Sequence, residues 1–207
     1  MTDTHELGWI GEHAPPAEEM ERAVDYALTA HDEWDSLFHF MLLVRDPETG
    51  RVFPRSIAAI VPTYPPEQYP TLLAKLMPDM LAQALAEPGP PVVACLFQVE
   101  GYRLELDADH PLLPEEQDAI ERGEVHALPH RIEAATVFAC DVAGRTWSAI
   151  KRRGINGDDD TVISAADPDS TAINDPFVPA LRRCADLIAP AYLAAQRSHW
   201  ARPKGRG

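Results

Sequence analysis

The segment VVACLFQV, residues 92–99, is apolar at every position but one. An unbroken apolar run of this length, rich in β-branched and aromatic residues, predicts a strand buried on both faces in the middle of a sheet. Beyond it, YRLEL (102–106) alternates apolar and polar residues, as a half-exposed strand does. Gly101 separates the two runs and predicts a bulge or a bend between them.

Two hairpins are predicted on either side of this strand. LFHFMLLVR (37–45) and VFPRSIAAIV (52–61) are joined by DPETGR, in which Asp, Pro and Gly are typical turn residues. Pro54 lacks an N–H group, which places the start of the second run at a sheet edge or a bulge. ATVFACDVAGRTWSAIKRR (135–153) predicts a hairpin that turns at Ala143 and Gly144. The two hairpins share an Asp and a Gly-Arg pair, which hairpin chemistry explains as well as duplication does.

Three amphipathic segments, 17–31, 71–86 and 176–196, have the apolar spacing of helices with one buried face. Pro78 should kink the second helix or split it into two. A short acidic helix is predicted before Gly123, which suits a helix end. TVISA (161–165) adds a last strand.

The order of these elements predicts the fold class. Strands do not alternate with helices, which argues against a doubly wound parallel sheet. We expect an α+β fold, with a mainly antiparallel sheet of five or six strands and about three helices packed on it. The predicted organisation is an N-terminal arm (1–16), a single domain (17–196) and a basic C-terminal tail (197–207).

The net charge is −15 and is unevenly distributed. Residues 1–50 hold 12 acids and 2 bases, whereas residues 151–207 hold 7 acids and 9 bases. Because the acidic N-terminal part repels phosphate, the charge argues against broad nucleic-acid binding and favours a basic protein partner. Solubility alone is the simpler explanation of an acidic chain.

The expected compartment is the cytoplasm. Neither a signal peptide nor an apolar run of 18 residues is visible, so no membrane span is expected. Three widely spaced cysteines lie in apolar runs, which predicts buried free thiols in a reducing compartment (Cys95, Cys140 and Cys184). The sequence indicates no oligomeric state.

The stretch KRRGINGDDD (151–160) raises the question of a phosphate or calcium site. Its cations precede the glycines, whereas a phosphate-binding loop needs lysine after the last glycine. From Asp158, a calcium loop would need a glycine at Ile163 and a glutamate at Asp169. We therefore interpret the stretch as a turn between two strands, with its charges in water.

No cofactor is expected from the sequence, and a divalent metal is the one alternative with candidate ligands. Asp107, Asp109 and His110 follow directly on a predicted strand, and carboxylates on a strand-anchored loop can hold hard cations. His126 and His130 could approach the same place. The same residue types are also common in turns and caps.

Other catalytic signals are sparse. His31, Asp35 and His39 lie at a helix-to-strand junction, where a histidine beside a carboxylate can act as an acid–base pair. A helix end followed by solvated acids explains them equally. The chain has none of the common nucleophile, zinc-protease, dinucleotide or phosphate-loop motifs, and nothing in the sequence asserts an enzyme.

Four residues have the chemistry of a partner-binding surface. Tyr64 and Tyr69 lie in the proline-rich segment PTYPPEQYP (62–70), where rigid aromatic rings lose little entropy on contact. Trp9 and Ile10 are an apolar pair in a polar arm and need cover from the domain or from a partner. The simpler interpretation is that the two tyrosines cover the core beside the second long helix.

Three functions follow as hypotheses. The first is a non-enzymatic protein-binding module, such as an adaptor, a chaperone-like protein or an inhibitor, that uses the acidic N-terminal region and exposed aromatic residues. The second is a small metal-dependent hydrolase built on Asp107, Asp109 and His110. The third is an acidic mimic of nucleic acid, whose binding should weaken steeply with salt.

Overall fold

The fold was analysed in a computed structural model, which describes residues 14–30, 38–60, 69–104, 112–153, 161–166 and 177–200. The elements in chain order are α1 (Ala17–Thr29), β1 (Phe38–Arg45), β2 (Val52–Ile60), α2 (Tyr69–Ala86), β3 (Val92–Leu104), α3 (Pro114–Glu121), a 3-10 turn (Val125–Ala127), β4 (Arg131–Asp141), β5 (Thr146–Arg152), β6 (Thr161–Ala166) and α4 (Phe177–Trp200).

The six strands form one antiparallel sheet in the order β2-β1-β3-β4-β5-β6. The predicted α+β class is confirmed. β3 lies between β1 and β4, and its residues 92–98 are buried, as the apolar run predicts. Besides the three long helices, the structure has the short acidic helix α3. Gly123 follows the end of α3, as predicted, and its φ of 73° is one that few other residues adopt.

One face of the sheet is covered by α4. Phe97 of β3 contacts Phe177 of α4, with ring centroids 4.9 Å apart. The Cys95 sulfur lies 3.3 Å from the Leu181 carbonyl oxygen of the same helix. Alternate residues of a strand share a face, so Cys95 and Phe97 both face α4. α2 packs beside α4.

The opposite face is covered by α1. Leu96 faces away from α4, and Leu96, Ala139 and Trp147 are successive cross-strand partners on that face. Arg145 lies over the Trp147 ring and donates a hydrogen bond to the Pro15 carbonyl oxygen, just before α1 begins. The helices therefore enclose the sheet from both sides around one hydrophobic core.

α1 contacts both edge strands of the sheet. It lies against β2 at one edge and β6 at the other, as well as β4 and β5. The two edge strands of six are about 24 Å apart, since strands are spaced by about 4.8 Å, and the 13 residues of α1 extend over about 20 Å. The helix is thus long enough to extend across the strands, and its first turn lies beside the start of β2.

At two positions, one of the two alternatives expected from the sequence was wrong. β3 continues through Gly101 to Leu104 without a bulge, in unbroken register with β4 (Gly101 opposite Ala134). α2 is one helix from Tyr69 to Ala86 rather than two, although Pro78 lies inside it. Pro78 is on the exposed face, where water can satisfy the carbonyl group that a proline leaves without a donor.

Both predicted hairpins are present, and an aspartate organises each turn. Asp46 Oδ1 accepts hydrogen bonds from the backbone N–H groups of Glu48 and Thr49. Asp141 Oδ1 does the same for Ala143 and Arg145. The aspartate that the two segments share thus has the same local role in each turn.

β2 is an edge strand, as Pro54 predicts. Asp46 N donates to Arg51 O at 2.9 Å, which makes these residues a hydrogen-bonded pair. Such pairs alternate along an antiparallel ladder, so the backbone groups of Val52 and Pro54 point away from β1. Glu19 of α1 accepts the Val52 N–H, and Pro54 has none. Two positions of this edge are therefore closed to a further strand.

Candidate binding site

Most of the residues singled out from the sequence lie outside the described ranges: Trp9, Ile10, His31, Asp35, Tyr64, Asp107, Asp109, His110 and residues 154–160. Tyr69 is the first residue of α2. His39 lies in β1 and is half-buried, whereas His126 and His130 are exposed. Within the described ranges, no three His, Cys, Asp or Glu residues are grouped so that they could hold a metal ion.

The described chain has an open pocket of about 450 Å³ at one end of the sheet. The β1–β2 turn, one residue of the edge strand β2 and the loop before β3 supply its lining, which consists of Asp46, Pro47, Glu48, Phe53, Gly89, Pro90 and Pro91. We call these seven residues the acidic pocket. Its lining combines two carboxylates with an aromatic ring and three prolines, and includes no basic residue.

Local hydrogen bonds hold the two sides of the acidic pocket together. Arg45 N donates to Pro91 O at 2.9 Å, which joins the end of β1 to the loop before β3. Arg55 forms an ion pair with Glu87. Its guanidinium group lies so close to Gly89 that a Cβ there would be 3.3 Å from Nη1. The prolines add stiffness because their φ angle is fixed.

The carboxylates favour a positively charged ligand. Hydrogen bonds from the backbone N–H groups of Thr49 and Glu48 lower the pKa of Asp46, so this carboxyl is ionised at neutral pH. The neighbouring arginines are engaged elsewhere: Arg45 Nε donates to Gly50 O, and Arg55 is paired with Glu87. The Arg45 and Arg55 guanidinium groups are thus held by protein acceptors, and that of Arg55 lies beside Gly89 of the lining.

Phe53 is the aromatic residue of the pocket, and its side chain is 42% exposed. From the sequence, Phe53 was predicted to lie in a strand and was not selected as a binding residue. Its position next to Pro54 on a predicted edge strand, close in sequence to Asp46 and Glu48, could have indicated that it lies at an exposed site. What the sequence did not show is that residues 89–91 lie against this turn.

A second feature is a buried thiol cluster, which we define as Cys95, Cys140 and Cys184. All three are free, as predicted, and buried. Cys95 and Cys140 are directly opposite on β3 and β4, and Cys95 donates a hydrogen bond to the carbonyl oxygen of Leu181 in α4, three residues before Cys184. Burial raises the pKa of the Cys95 and Cys140 thiols. The sequence predicted burial of each cysteine but not their convergence.

Asp141 and Arg145 form a buried ion pair with a structural role. Arg145 Nε and Nη2 both donate to Asp141 Oδ2, at 2.8 and 2.6 Å. Burial raises the pKa of Asp141, and the Arg145 guanidinium opposes that rise. Together with the bond to Pro15, the pair fastens the β4–β5 turn to the start of α1.

None of the helices in the described residues is long and apolar enough to cross a membrane. No protein-family model matches the chain, and neither a curated protein nor a solved structure matches it.

Proposed function

We propose that this chain is a protein-binding module that holds a basic segment of a partner in the acidic pocket. The observation that carries the proposal is the lining of that pocket, in which Asp46 and Glu48 stand beside the exposed ring of Phe53. The acidic residues belong to the N-terminal quarter of the chain, where the excess of negative charge is greatest.

Arginine is the side chain that suits this lining best. Its guanidinium group can bind a carboxylate through two hydrogen bonds and also stack on an aromatic ring. Its aliphatic stem packs on apolar surface, which the prolines supply. A pocket of about 450 Å³ lies in the size range of small-ligand sites, so it accommodates one or two such side chains.

The partner segment is expected to bind through side chains rather than by extending the sheet. Strand addition needs free backbone N–H groups at the edge. At the β2 edge beside Phe53, Glu19 occupies the Val52 N–H, and Pro54 lacks an N–H. A partner segment that lies across the pocket can instead insert its side chains into it.

The test is a nuclear magnetic resonance titration of the full chain with blocked synthetic peptides. The probe is Gly-Arg-Leu-Arg-Gly, and the matched probe has both arginines replaced by glutamate. We expect the arginine probe to shift the amide signals of Glu48, Phe53 and Gly89, and the glutamate probe to leave them unchanged. Equal shifts with both probes, or shifts confined to other surfaces, would contradict the proposal.

A pair of charge reversals provides the matched control. Glu48→Lys changes a pocket residue, whereas Glu115→Lys changes an exposed glutamate of α3 outside the pocket lining. Both alter the net charge equally, so a general electrostatic effect weakens binding alike in both. Loss of binding in Glu48→Lys alone assigns the effect to the acidic pocket.

We also propose a reducing compartment, the cytoplasm, on the basis of the three buried free thiols. Fractionation of cells that express a tagged chain tests the location. Recovery of the chain from an oxidising compartment would overturn this part of the proposal.

A further inference from the structure

The thiol cluster brings together residues from β3, β4 and α4 that are far apart in the sequence. The Cys95 sulfur lies 3.3 Å from the Leu181 carbonyl oxygen and 3.7 Å from the Cys140 carbonyl oxygen. Leu181 is three residues before Cys184, so both present to the same face of α4. Cys95 is thus directed at the helix surface that carries Cys184.

The two other cysteines of the cluster differ in orientation. The Cys140 sulfur lies 3.7 Å from the carbonyl oxygen of its own neighbour, Asp141, whereas the Cys95 sulfur faces the turn of α4 that carries Cys184. A sulfur that faces another thiol across a packed contact can form a disulfide with little movement, because only the sulfur separation has to shorten. Cys184 is therefore the better placed partner for Cys95.

We propose that Cys95 and Cys184 are a redox-active pair, which hydrogen peroxide converts to a disulfide that joins β3 to α4. This site is independent of the acidic pocket. Peroxide is a suitable oxidant because it is little larger than water, whereas a bulky disulfide reagent would have to enter a packed core.

The chemistry assigns separate roles to the two sulfurs. The neighbouring Cys95 lowers the pKa of Cys184, whereas burial raises the pKa of Cys95. We therefore assign the role of nucleophile to Cys184, since the thiolate is the reactive form. It attacks one peroxide oxygen, the O–O bond breaks and hydroxide leaves, which produces a sulfenic acid on Cys184. Hydroxide takes up the proton that Cys184 released and becomes water.

Cys95 then resolves the intermediate. Its sulfur attacks the Cys184 sulfur, the S–O bond breaks, and the Cys95 proton leaves with the hydroxyl group as water. In total, two thiols and one hydrogen peroxide molecule become one disulfide and two water molecules. The product encloses a long loop between β3 and α4 and should make the folded chain harder to unfold.

The test is to treat the folded full chain with hydrogen peroxide and to map its disulfides by mass spectrometry under non-reducing conditions. We expect one peptide pair, Cys95 linked to Cys184, which a thiol reductant separates. Its formation should raise the denaturant midpoint, and reduction should restore the original midpoint. A bond that includes Cys140, or one that forms only after denaturant is added, would overturn the proposal.

Serine variants test the assignment of roles. Cys140→Ser should form the same disulfide at the wild-type rate. Cys95→Ser should instead accumulate oxidised Cys184, because the resolving sulfur is missing. If a variant does not fold, the peptide map of the wild-type chain decides by itself. Oxidation of Cys184 to sulfinic acid in the wild-type chain, without a disulfide, also contradicts the proposal.

Discussion

The Glu19 carboxylate of α1 accepts a hydrogen bond from the backbone N–H of Val52, 3.3 Å away on the edge strand β2. Glu19 also forms an ion pair with Arg22 one turn further along the helix. A helix side chain thus occupies a donor that would otherwise be open to another strand. The contact is possible because α1 reaches the β2 edge of the sheet.

Replacing Glu19 by alanine should destabilise the fold and open the β2 edge. We expect a loss of about 1 kcal/mol in the free energy of unfolding, which is typical of one hydrogen bond. Self-association should also increase with concentration, because Val52 N–H becomes available. Denaturant titration and sedimentation measure the two effects.

Glu18→Ala is the control variant, because Glu18 lies in the same first turn of α1 but has no such bond with β2. An equal effect of the two substitutions would refute this role of Glu19.

The Asp141–Arg145 pair predicts unequal costs for its two members. The Asp141 side chain is fully buried, whereas that of Arg145 is 25% exposed. Arg145→Met leaves a buried carboxylate without its partner, and we expect a loss of about 4 kcal/mol at neutral pH. Asp141→Asn leaves an arginine that can reach water, so its cost should be lower, about 2 kcal/mol. Thermal or chemical unfolding of both variants gives the order, and the reverse order would contradict the assigned burial.

The same pair predicts a pH dependence. Burial raises the pKa of Asp141 above its ordinary value of 3.8, and Arg145 limits that rise. A raised carboxyl pKa contributes stability that is complete below pH 3.8 and is lost as the pH rises through the folded-state pKa. Arg145→Met removes the opposing charge, so its deficit relative to wild type should be small in acid and grow towards neutral pH. A deficit that is constant across this range would show that Asp141 does not titrate in the variant.

Two glycines provide a matched pair of substitutions. A Cβ at either Gly101 or Gly123 would meet no atom within 4 Å. Gly123 has a φ of 73°, whereas Gly101 has no positive φ and lies in extended strand. Gly101→Ala should therefore stabilise the chain by about 0.5 kcal/mol, and Gly123→Ala should destabilise it by about 1 kcal/mol. Equal denaturant midpoints would show that backbone conformation does not separate the two sites.

Phe53 is expected to contribute to partner binding independently of charge. Phe53→Ala should weaken binding of the arginine probe by about fivefold or more, which corresponds to about 1 kcal/mol. Tyr102→Ala is the control, because Tyr102 is 47% exposed on β3 and is not part of the pocket lining. Titrations at low and high salt separate the contributions: the carboxylate contribution should decline with salt, and the Phe53 contribution should persist. If Phe53→Ala binds the probe with unchanged affinity, the Phe53 ring does not contribute to the binding site.

Much of the fold follows from local patterns. Alternating and continuous apolar runs predicted the strands of the hairpins and the buried strand β3, and the missing N–H group of Pro54 predicted its position at a sheet edge. The two failures, at Gly101 and Pro78, have one origin. Both residues lie on exposed parts of their elements, where the surrounding ladder or helix tolerates a residue that the local propensity disfavours.

The sites were less predictable. Asp46 and Phe53 are seven residues apart, but the wall formed by Pro90 and Pro91 comes from another part of the chain. Cys95, Cys140 and Cys184 are separated by more than forty residues each. The distances between these residues in space depend on which strands pair and which helix covers them. A local pattern of residues does not predict that pairing.

By itself, the sequence determined the element types, the turns at Asp46 and Asp141, the burial of the cysteines and the acidic character of the first fifty residues. These properties depend on hydrophobic period, turn chemistry and charge, which act between near neighbours in the chain. The tertiary structure alone decided that the β1–β2 turn meets residues 89–91, that Glu19 reaches Val52, and that Cys95 meets Cys184. Those contacts arise because the strand order and the placement of the helices are set by the packing of the whole core, where many distant side chains must be buried at once.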